Sequence, residues 1–441
     1  MKTPPPDLRG WLTPGGVLSD RDHAVPFGRL VAGNPLSVDP LSLKGARILL
    51  RTASQLEAAL ALVALDGVAA RIVIAPPDLK PDFLADVIER ARIDTLVGEG
   101  ATGLRRVLVS SQFSDGSPAE NGGTETEWVM FTSGTTGAPK MVGHTLKALT
   151  GAIRPTNDKI VWGTFYDIRR YGGLQIFLRA VLGRASLILS DPQEAVGDFL
   201  ERLGRNGVTH LTGTPSHWRR ALMSPAMAKI APRYVRLSGE IADQAVLDSL
   251  RARFPDAAMG HAYASTEAGV GFEVTDGREG FPASLVGGAG PVEMRVVEGA
   301  LQLRSARAAS GFVGSTDRLG EDGFVDTGDM VELRGDRYYF VGRRGGIINV
   351  GGLKIHPEEV EAVINRHPAV RQSRVSGRKS PITGAIVVAE VVLMEGEDPE
   401  KAGEEILRAC RAGLKPFQVP AMVRWVAKLE LSAGGKLVRH A

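Results

Sequence analysis

The feature that most constrains this chain is its alternation between two hydrophobic periods. "ASQLEAALALVALDG" (53–67) spaces its apolar residues as a helix does and ends at a glycine, and "ARIVIAPP" (70–77) is a β-branched run stopped by prolines. The alternation returns within 176–215, where "ASLILS" precedes "AVGDFLERLGRNG" and then "VTHLTGTP". Strands joined through helices pair in parallel and are covered on both faces, so these segments predict α/β subdomains with parallel-type sheets. Between 283 and 345 the texture changes to short β-like pieces, "MRVVEGALQLR" and "RYYFVGR", separated by glycine turns, which predicts a small antiparallel or β-barrel-like subdomain. After Gly345-Gly346, the helical "HPEEVEAVINRH" and "AGEEILRACRAGL" flank the strand-like "AIVVAEVVLMEG", the pattern of a small α+β domain. The expected organisation is a large domain over 1–345 and a small, mobile C-terminal domain over 346–441. No internal repeat is present, and 114–126 is a polar connector.

Composition bounds the function. With 441 residues and 43% hydrophobic content, the chain exceeds one compact domain and can fill a large core and a further unit. Lys and Arg number 53 against 50 for Asp and Glu, a net +3 that gives no electrostatic reason to expect nucleic acid or an anionic membrane as partner. A small neutral or anionic ligand fits better. Cys410 is alone, which excludes an internal disulfide or a cysteine-rich metal site and agrees with a reducing compartment. The beginning, "MKTPPPDLRGW", lacks the pattern of a secretion signal, and no apolar run is long enough to cross a bilayer, so a cytoplasmic location is expected. Oligomeric state is open.

"VMFTSGTTGAPKMV" (129–142) passes from an apolar strand to hydroxyls and glycines and then to one cation. Such a loop is the ordinary sequel to a buried strand, but its hydroxyls, glycine amides and Lys140 are also the donors that wrap a polyphosphate. It departs from the Walker pattern, because Pro139 precedes the lysine and no Ser or Thr follows it.

This loop resembles the phosphate-binding signature of the adenylate-forming superfamily, which comprises acyl- and aryl-CoA synthetases, nonribosomal adenylation domains and firefly-type luciferases. "LSGE" (237–240), "YASTE" (263–267), "DTGD" (326–329), "GRRGGIINVGGLKIHPEEVE" (342–361) and "LSAGGKLVR" (431–439) match in the same order. Six segments in register over 131–439 are poorly explained by chance; the first hundred residues match loosely and are shorter than usual. The resemblance implies that Thr132, Ser133, Gly134, Thr135, Thr136, Gly137 and Lys140 hold the phosphates of ATP, and that Ser238, Gly239 and Glu240 line the adenine pocket. Tyr263 would face the purine, Thr266 a phosphate, and Glu267 a Mg²⁺ completed by substrate phosphates, since one carboxylate alone is a poor Mg²⁺ site. Asp329 would accept both ribose hydroxyls, with Arg343 beside it. Lys436, five residues from the end, would on its own be read as a solvated surface charge. The resemblance makes it the cation that reaches the substrate carboxylate and the α-phosphate. Gly351 and Gly352 would line a tunnel for the thiol after the small domain rotates about Gly346.

The activity implied is ATP-dependent activation of a carboxylic acid to an acyl-adenylate, followed by thioester formation with coenzyme A and release of AMP and pyrophosphate. Alternatives are loading of a carrier-protein phosphopantetheine and a nucleotide-binding relative without catalysis. Two departures stand out: relatives have glycine where Ala264 sits, and Asp or Lys where Gly346 sits. The acyl pocket is expected from 166–174, 214–218, the surroundings of Gly260, and 286–288. Tyr171 and Trp218 favour an aryl or medium apolar acid, whereas Arg169 or Arg170 could hold a second carboxylate.

Overall fold

The computed structural model describes residues 7–12, 15–100, 103–114, 123–132, 140–154, 159–288, 290–315, 320–380, 384–432 and 435–438. Two mixed sheets form the bulk of the large region. The first has seven strands in the order Gly311–Phe312, Met141–Thr145, Glu127–Phe131, Arg71–Ile74, Arg47–Arg51, Thr95–Gly98 and Arg105–Val107, and the last five of these run parallel. The helix Gln55–Leu65 covers it. Ser54 and Glu57 close a capping box at its start, and the helix stops at Asp66 rather than reaching the predicted glycine. Ten of its eleven residues are buried, which fits its apolar character all round.

The second sheet has eight strands: Gly269–Val274, Ala258–Ser265, Tyr234–Ser238, His210–Gly213, Val161–Thr164, Ser186–Leu189, Val17–Ser19 and Ala24–Pro26. The central strands are parallel and an antiparallel strand closes each edge. The edge hairpin from the N-terminal residues has no signature in the hydrophobic pattern, because it is set by pairing with residues some 170 positions away, such as Leu18 with Leu187.

The predicted antiparallel subdomain is a five-stranded sheet ordered Phe281–Pro282, Arg337–Arg343, Val325–Arg334, Ala300–Ser305 and Val292–Val297. One of its hairpins turns through Glu298 and Gly299, at φ +50° and +76°, the left-handed pair that a two-residue turn requires. Beyond Gly346, strands Val370–Ser380, Gly384–Leu393 and Met422–Trp425 pack with helices Pro357–Ile364 and Pro399–Gly413 around a core that runs from Ile348 to Cys410. Cys410 is fully buried in it, and burial pushes its thiol up to about 11, so it behaves as a small apolar side chain. Among the described residues, no helix is long and apolar enough to cross a membrane.

One buried carboxylate gives the large region a pH dependence. Asp66 accepts the Leu8 amide and the Trp128 indole N–H, both at 2.9 Å, and burial pushes its carboxyl up to about 7. The folded state therefore binds this proton more tightly than the unfolded chain does. The resulting stabilisation is complete below about pH 4 and is lost as pH rises through about 7. Relative to Asp66→Asn, the wild type is expected to lose on the order of 2 kcal/mol between pH 5 and 8. Thermal melts of both proteins across that range check this, and a constant gap in midpoint temperature would refute it.

Candidate functional site

Where parallel strands end, backbone amides and loop side chains converge, so open α/β sheets place their ligands at the carboxyl edge. Here the carboxyl ends of Val161–Thr164, His210–Gly213 and Tyr234–Ser238 open into a cleft of about 1460 Å³. One wall comes from the five-stranded sheet, another from residues 78–83, and the roof from the small domain and its tail.

Thr132 and Lys140, Ser238, Gly239 and Glu240, Tyr263, Thr266 and Glu267, Asp329, Arg343, and Lys436 all line this cleft. These residues are scattered over some three hundred positions, and the fold brings them to one place. Ser133, Gly134, Thr135, Thr136 and Gly137 lie outside the described residues. The neck of their loop is closed by the Thr132 amide donating to the Lys140 carbonyl at 3.0 Å, while the Lys140 ammonium sits 5.2 Å from the centre of the Phe312 ring.

Strand Ala258–Ser265 carries "YASTE" to the cleft, and its pairing slips between Tyr263 and Ala264, re-aiming the residues that follow. Tyr263 belongs to an aromatic cluster, nearly parallel to Phe272 and Phe340 at 5.6 and 5.2 Å, and its hydroxyl donates to Asp329 Oδ2 at 2.5 Å. Arg343, directly opposite in the antiparallel register, donates from Nε to Asp329 Oδ1 at 2.8 Å. Each oxygen of Asp329 is thus bound from one side and keeps lone pairs for a further donor. The carboxylate raises the Arg343 pKa further, and burial raises that of the Tyr263 hydroxyl, so both groups hold their protons.

Lys436 is held by contacts that its local sequence does not announce. The Ser432 amide donates to the Lys436 carbonyl at 2.7 Å, and Leu431 bridges Leu437 in an antiparallel pair. Thr214 Oγ1 donates to the Gly435 carbonyl at 2.9 Å, the Leu437 amide donates to Glu240 Oε1 at 2.9 Å, and Arg374 Nη1 donates to the Val438 carbonyl at 2.8 Å. Gly435, at φ +70°, lies against the His217 ring, and a methyl group built on it would come 1.9 Å from the ring carbon Cε1. The Lys436 stem crosses Gly239, where a built methyl would lie 3.2 Å from Cε and 3.8 Å from Nζ. Although solvent still reaches this side chain, the surrounding protein lowers its pKa by desolvation, and Glu240 opposes that shift.

Glu240 lines the cleft, where its carboxylate accepts from Ser216 and from the Leu437 amide of the tail. Several expectations about the acyl pocket need correction. Trp218 is fully buried, donates to the Arg236 carbonyl and belongs to the core under the sheet, so it does not shape an acyl pocket. Arg169 is buried in a 2.7 Å ion pair with Asp167 and donates to the Thr52 carbonyl, which removes it as a receptor for a second carboxylate. Arg170 lines the cleft but is paired with Asp78. The space over Gly260 is filled by Glu273 and Tyr234. Gly351 and Gly352, expected at the thiol tunnel only after the small domain rotates, form the exposed turn of the hairpin Ile348–Val350/Leu353–Ile355 in this arrangement, which leaves that expectation as it stands. Tyr166, Tyr171, Gly172, Gly173 and Ala264 remain as the walls nearest the strand ends. Thr214, Ser216 and His217, expected in the acyl pocket, meet the tail or the strand Val370–Ser380 instead, and Gln372 and Arg374 carry no signal in the sequence because their role appears only when the tail is docked.

Comparison with known proteins places these observations in a family. Residues 43–306 match the model for AMP-binding enzymes, and residues 359–436 match that for the AMP-binding enzyme C-terminal domain. Rat mitochondrial acyl-coenzyme A synthetase ACSM4 is 27% identical over 370 residues, covering 76% of this chain and 63% of that protein. A 2-succinylbenzoate–CoA ligase of Listeria innocua is 27% identical over 337 residues, covering 72% of this chain and 69% of that protein. The chain thus spans under two thirds of the rat relative's length. In fold it resembles the anthranilate CoA ligase AuaEII in complex with anthranoyl-AMP, with a TM-score of 0.81 at 17% identity, covering 96% of this chain and 92% of the other. The o-succinylbenzoate CoA synthetase of Bacillus subtilis, in complex with its acyl-adenylate intermediate, gives a TM-score of 0.74 at 19% identity over 98% of this chain and 97% of the other.

Proposed function

Because the chain belongs to the AMP-binding enzyme family, we propose that it activates a small carboxylic acid with ATP and transfers the acyl group to coenzyme A. The observation that carries this reading is the meeting of Lys436 from the tail with Thr266, Glu267 and the Asp329–Arg343 pair in one cleft.

A carboxylate oxygen attacks the α-phosphorus of ATP, the bond from that phosphorus to the pyrophosphate oxygen breaks, and acyl-adenylate and pyrophosphate result. Like charges approach in this step, and charge grows on the phosphoryl oxygens, so a fixed ammonium and hydroxyl donors lower its barrier. Lys436, Lys140, Thr132 and Thr266, which line the cleft, would supply them in this reading. Asp329 has lone pairs for the ribose hydroxyls. Among the described residues no cluster of three or more His, Cys, Asp or Glu forms a metal cage, and Glu267 is a single hard oxygen ligand at the cleft wall. That donor set suits Mg²⁺ arriving with ATP, which would supply charge neutralisation on the phosphates. In the second step the thiol sulfur attacks the acyl carbon and the bond to AMP breaks, AMP being a far better leaving group than oxide. Tyr171 among the walls supports an aryl or medium apolar acid.

Lys436 fills one side of the cleft, so thiol entry requires the small domain to move. We place the division between the domains at Gly345-Gly346. A side chain on either glycine would meet nothing within 4 Å, and the core beginning at Ile348 is separate from those of the large region. Gly346→Pro is expected to leave acid-dependent ATP–pyrophosphate exchange intact while lowering thioester formation at least about tenfold, because the fixed φ of proline removes the hinge's range. Unchanged overall turnover would discard this hinge.

The function itself is tested by acid-dependent ATP–pyrophosphate exchange over aryl, fatty and dicarboxylic acids, followed by thioester detection with coenzyme A and with a holo-carrier protein. No exchange with any acid would reject the reading, and transfer only to the carrier protein would reassign the acceptor.

A further inference from the structure

We propose that Glu240 is a positioning residue whose side chain latches the C-terminal tail so that Lys436 is delivered to the cleft. This rests on the adenylation reading above and departs from the adenine-pocket role expected for the Glu240 side chain.

The carboxylate accepts three hydrogen bonds. Oε2 accepts the Ser216 amide at 2.9 Å, and Oε1 accepts the Ser216 hydroxyl at 3.1 Å and the Leu437 amide at 2.9 Å. The Ser216 hydroxyl oxygen in turn accepts from Gln372 Nε2 at 3.0 Å. Ser216 lies in the first turn of helix Pro215–Leu222, where unpaired amides favour a negative charge. Both Ser216 and Gln372 are almost wholly buried. The carboxylate therefore holds the tail directly, and Ser216, which it binds, holds the strand Val370–Ser380.

The choice of tail atom matters. Leu437 directly follows Lys436, so the bond to its amide fixes the backbone from which the lysine side chain crosses Gly239. If the small domain rotates away, Glu240 keeps both bonds from Ser216 and loses only the one from Leu437, while Ser216 loses Gln372. The carboxylate is then still hydrogen-bonded, so opening strands no buried charge. The bonds that differ between the two arrangements favour the closed one, as a latch must.

The test uses Glu240→Gln, which keeps the shape but has only one acceptor oxygen for donors that now bind two. The rate of ATP–pyrophosphate exchange at saturating ATP is expected to fall roughly 10–100-fold, as for loss of a charged hydrogen bond and displacement of a catalytic group. KM for ATP should change less than about twofold, and thioester formation from synthetic acyl-adenylate should be spared. Gln372→Ala should show a smaller loss of the same kind, and the double variant should be less impaired than the product of the two, since both act through Ser216. Independently of turnover, hydrogen exchange at the Leu437 amide should be slow in the wild type and faster in Glu240→Gln. A large rise in KM for ATP with the saturated rate intact would make Glu240 a nucleotide contact and overturn the latch. Equal loss in both half-reactions, or unchanged Leu437 exchange, would overturn it as well. A wild type that lacks acid-dependent exchange but shows the Leu437 protection would reject the adenylation reading and leave the latch in place.

Discussion

Lys436→Ala is expected to lower acid-dependent ATP–pyrophosphate exchange by about 10²–10³, the loss typical of removing one fixed donor from an anionic transition state. Thioester formation from synthetic acyl-adenylate should be little changed, because Lys436 leaves the cleft with the small domain before the thiol enters. The two-sided result separates a catalytic role from a structural one. Lys436 makes no side-chain hydrogen bond among the described residues that the fold depends on, and the tail that carries it is held through its backbone by Thr214 and Glu240. The lowered pKa of its ammonium adds a sign: the exchange rate should fall on the alkaline side earlier than for an ordinary lysine, as the cation is lost with rising pH. Equal impairment of both half-reactions would remove Lys436 from the catalytic role.

Gly435→Ala should reproduce that phenotype without touching the charge. The residue sits at φ +70°, where an L side chain is strained, and its new methyl would overlap the His217 ring, which is partly buried and stacked on Phe165. The tail is expected to lift from its seat to relieve this overlap. Moving Lys436 by an ångström or more corresponds to a loss of about 10²-fold in the adenylation step. His217→Ala, made in the same background, opens the space and should restore part of the activity. Exchange in Gly435→Ala at the wild-type rate would show that the tail reaches the cleft by another path.

Much of this architecture is legible in the sequence, for identifiable reasons. The helix Gln55–Leu65 and the strand Arg71–Ile74 declare themselves through local periodicity and through the prolines that stop the strand. Chain order places "DTGD" and "GRR" close together, and a single antiparallel register then puts Asp329 opposite Arg343. The tail seat follows no such rule. Thr214 and Gly435 are 221 positions apart, and Glu240 and Leu437 are 197 apart, so their meeting depends on how two domains dock. Trp218 misleads because an aromatic residue after a strand suits a pocket wall and a core equally well. The deciding fact is that its indole N–H finds the Arg236 carbonyl inside the core. Arg169 misleads for a similar reason: its partner, Asp167, is two residues away, and the same spacing also occurs between charges that point apart.

The most direct measurement is a crystal structure with a non-hydrolysable acyl-adenylate analogue. The ribose is expected on Asp329, with the phosphate or its mimic within hydrogen-bonding reach of Lys436 Nζ and Thr266. An analogue bound away from the segment between Thr132 and Lys140, or a bound complex with Lys436 turned out to solvent, would contradict this mechanism.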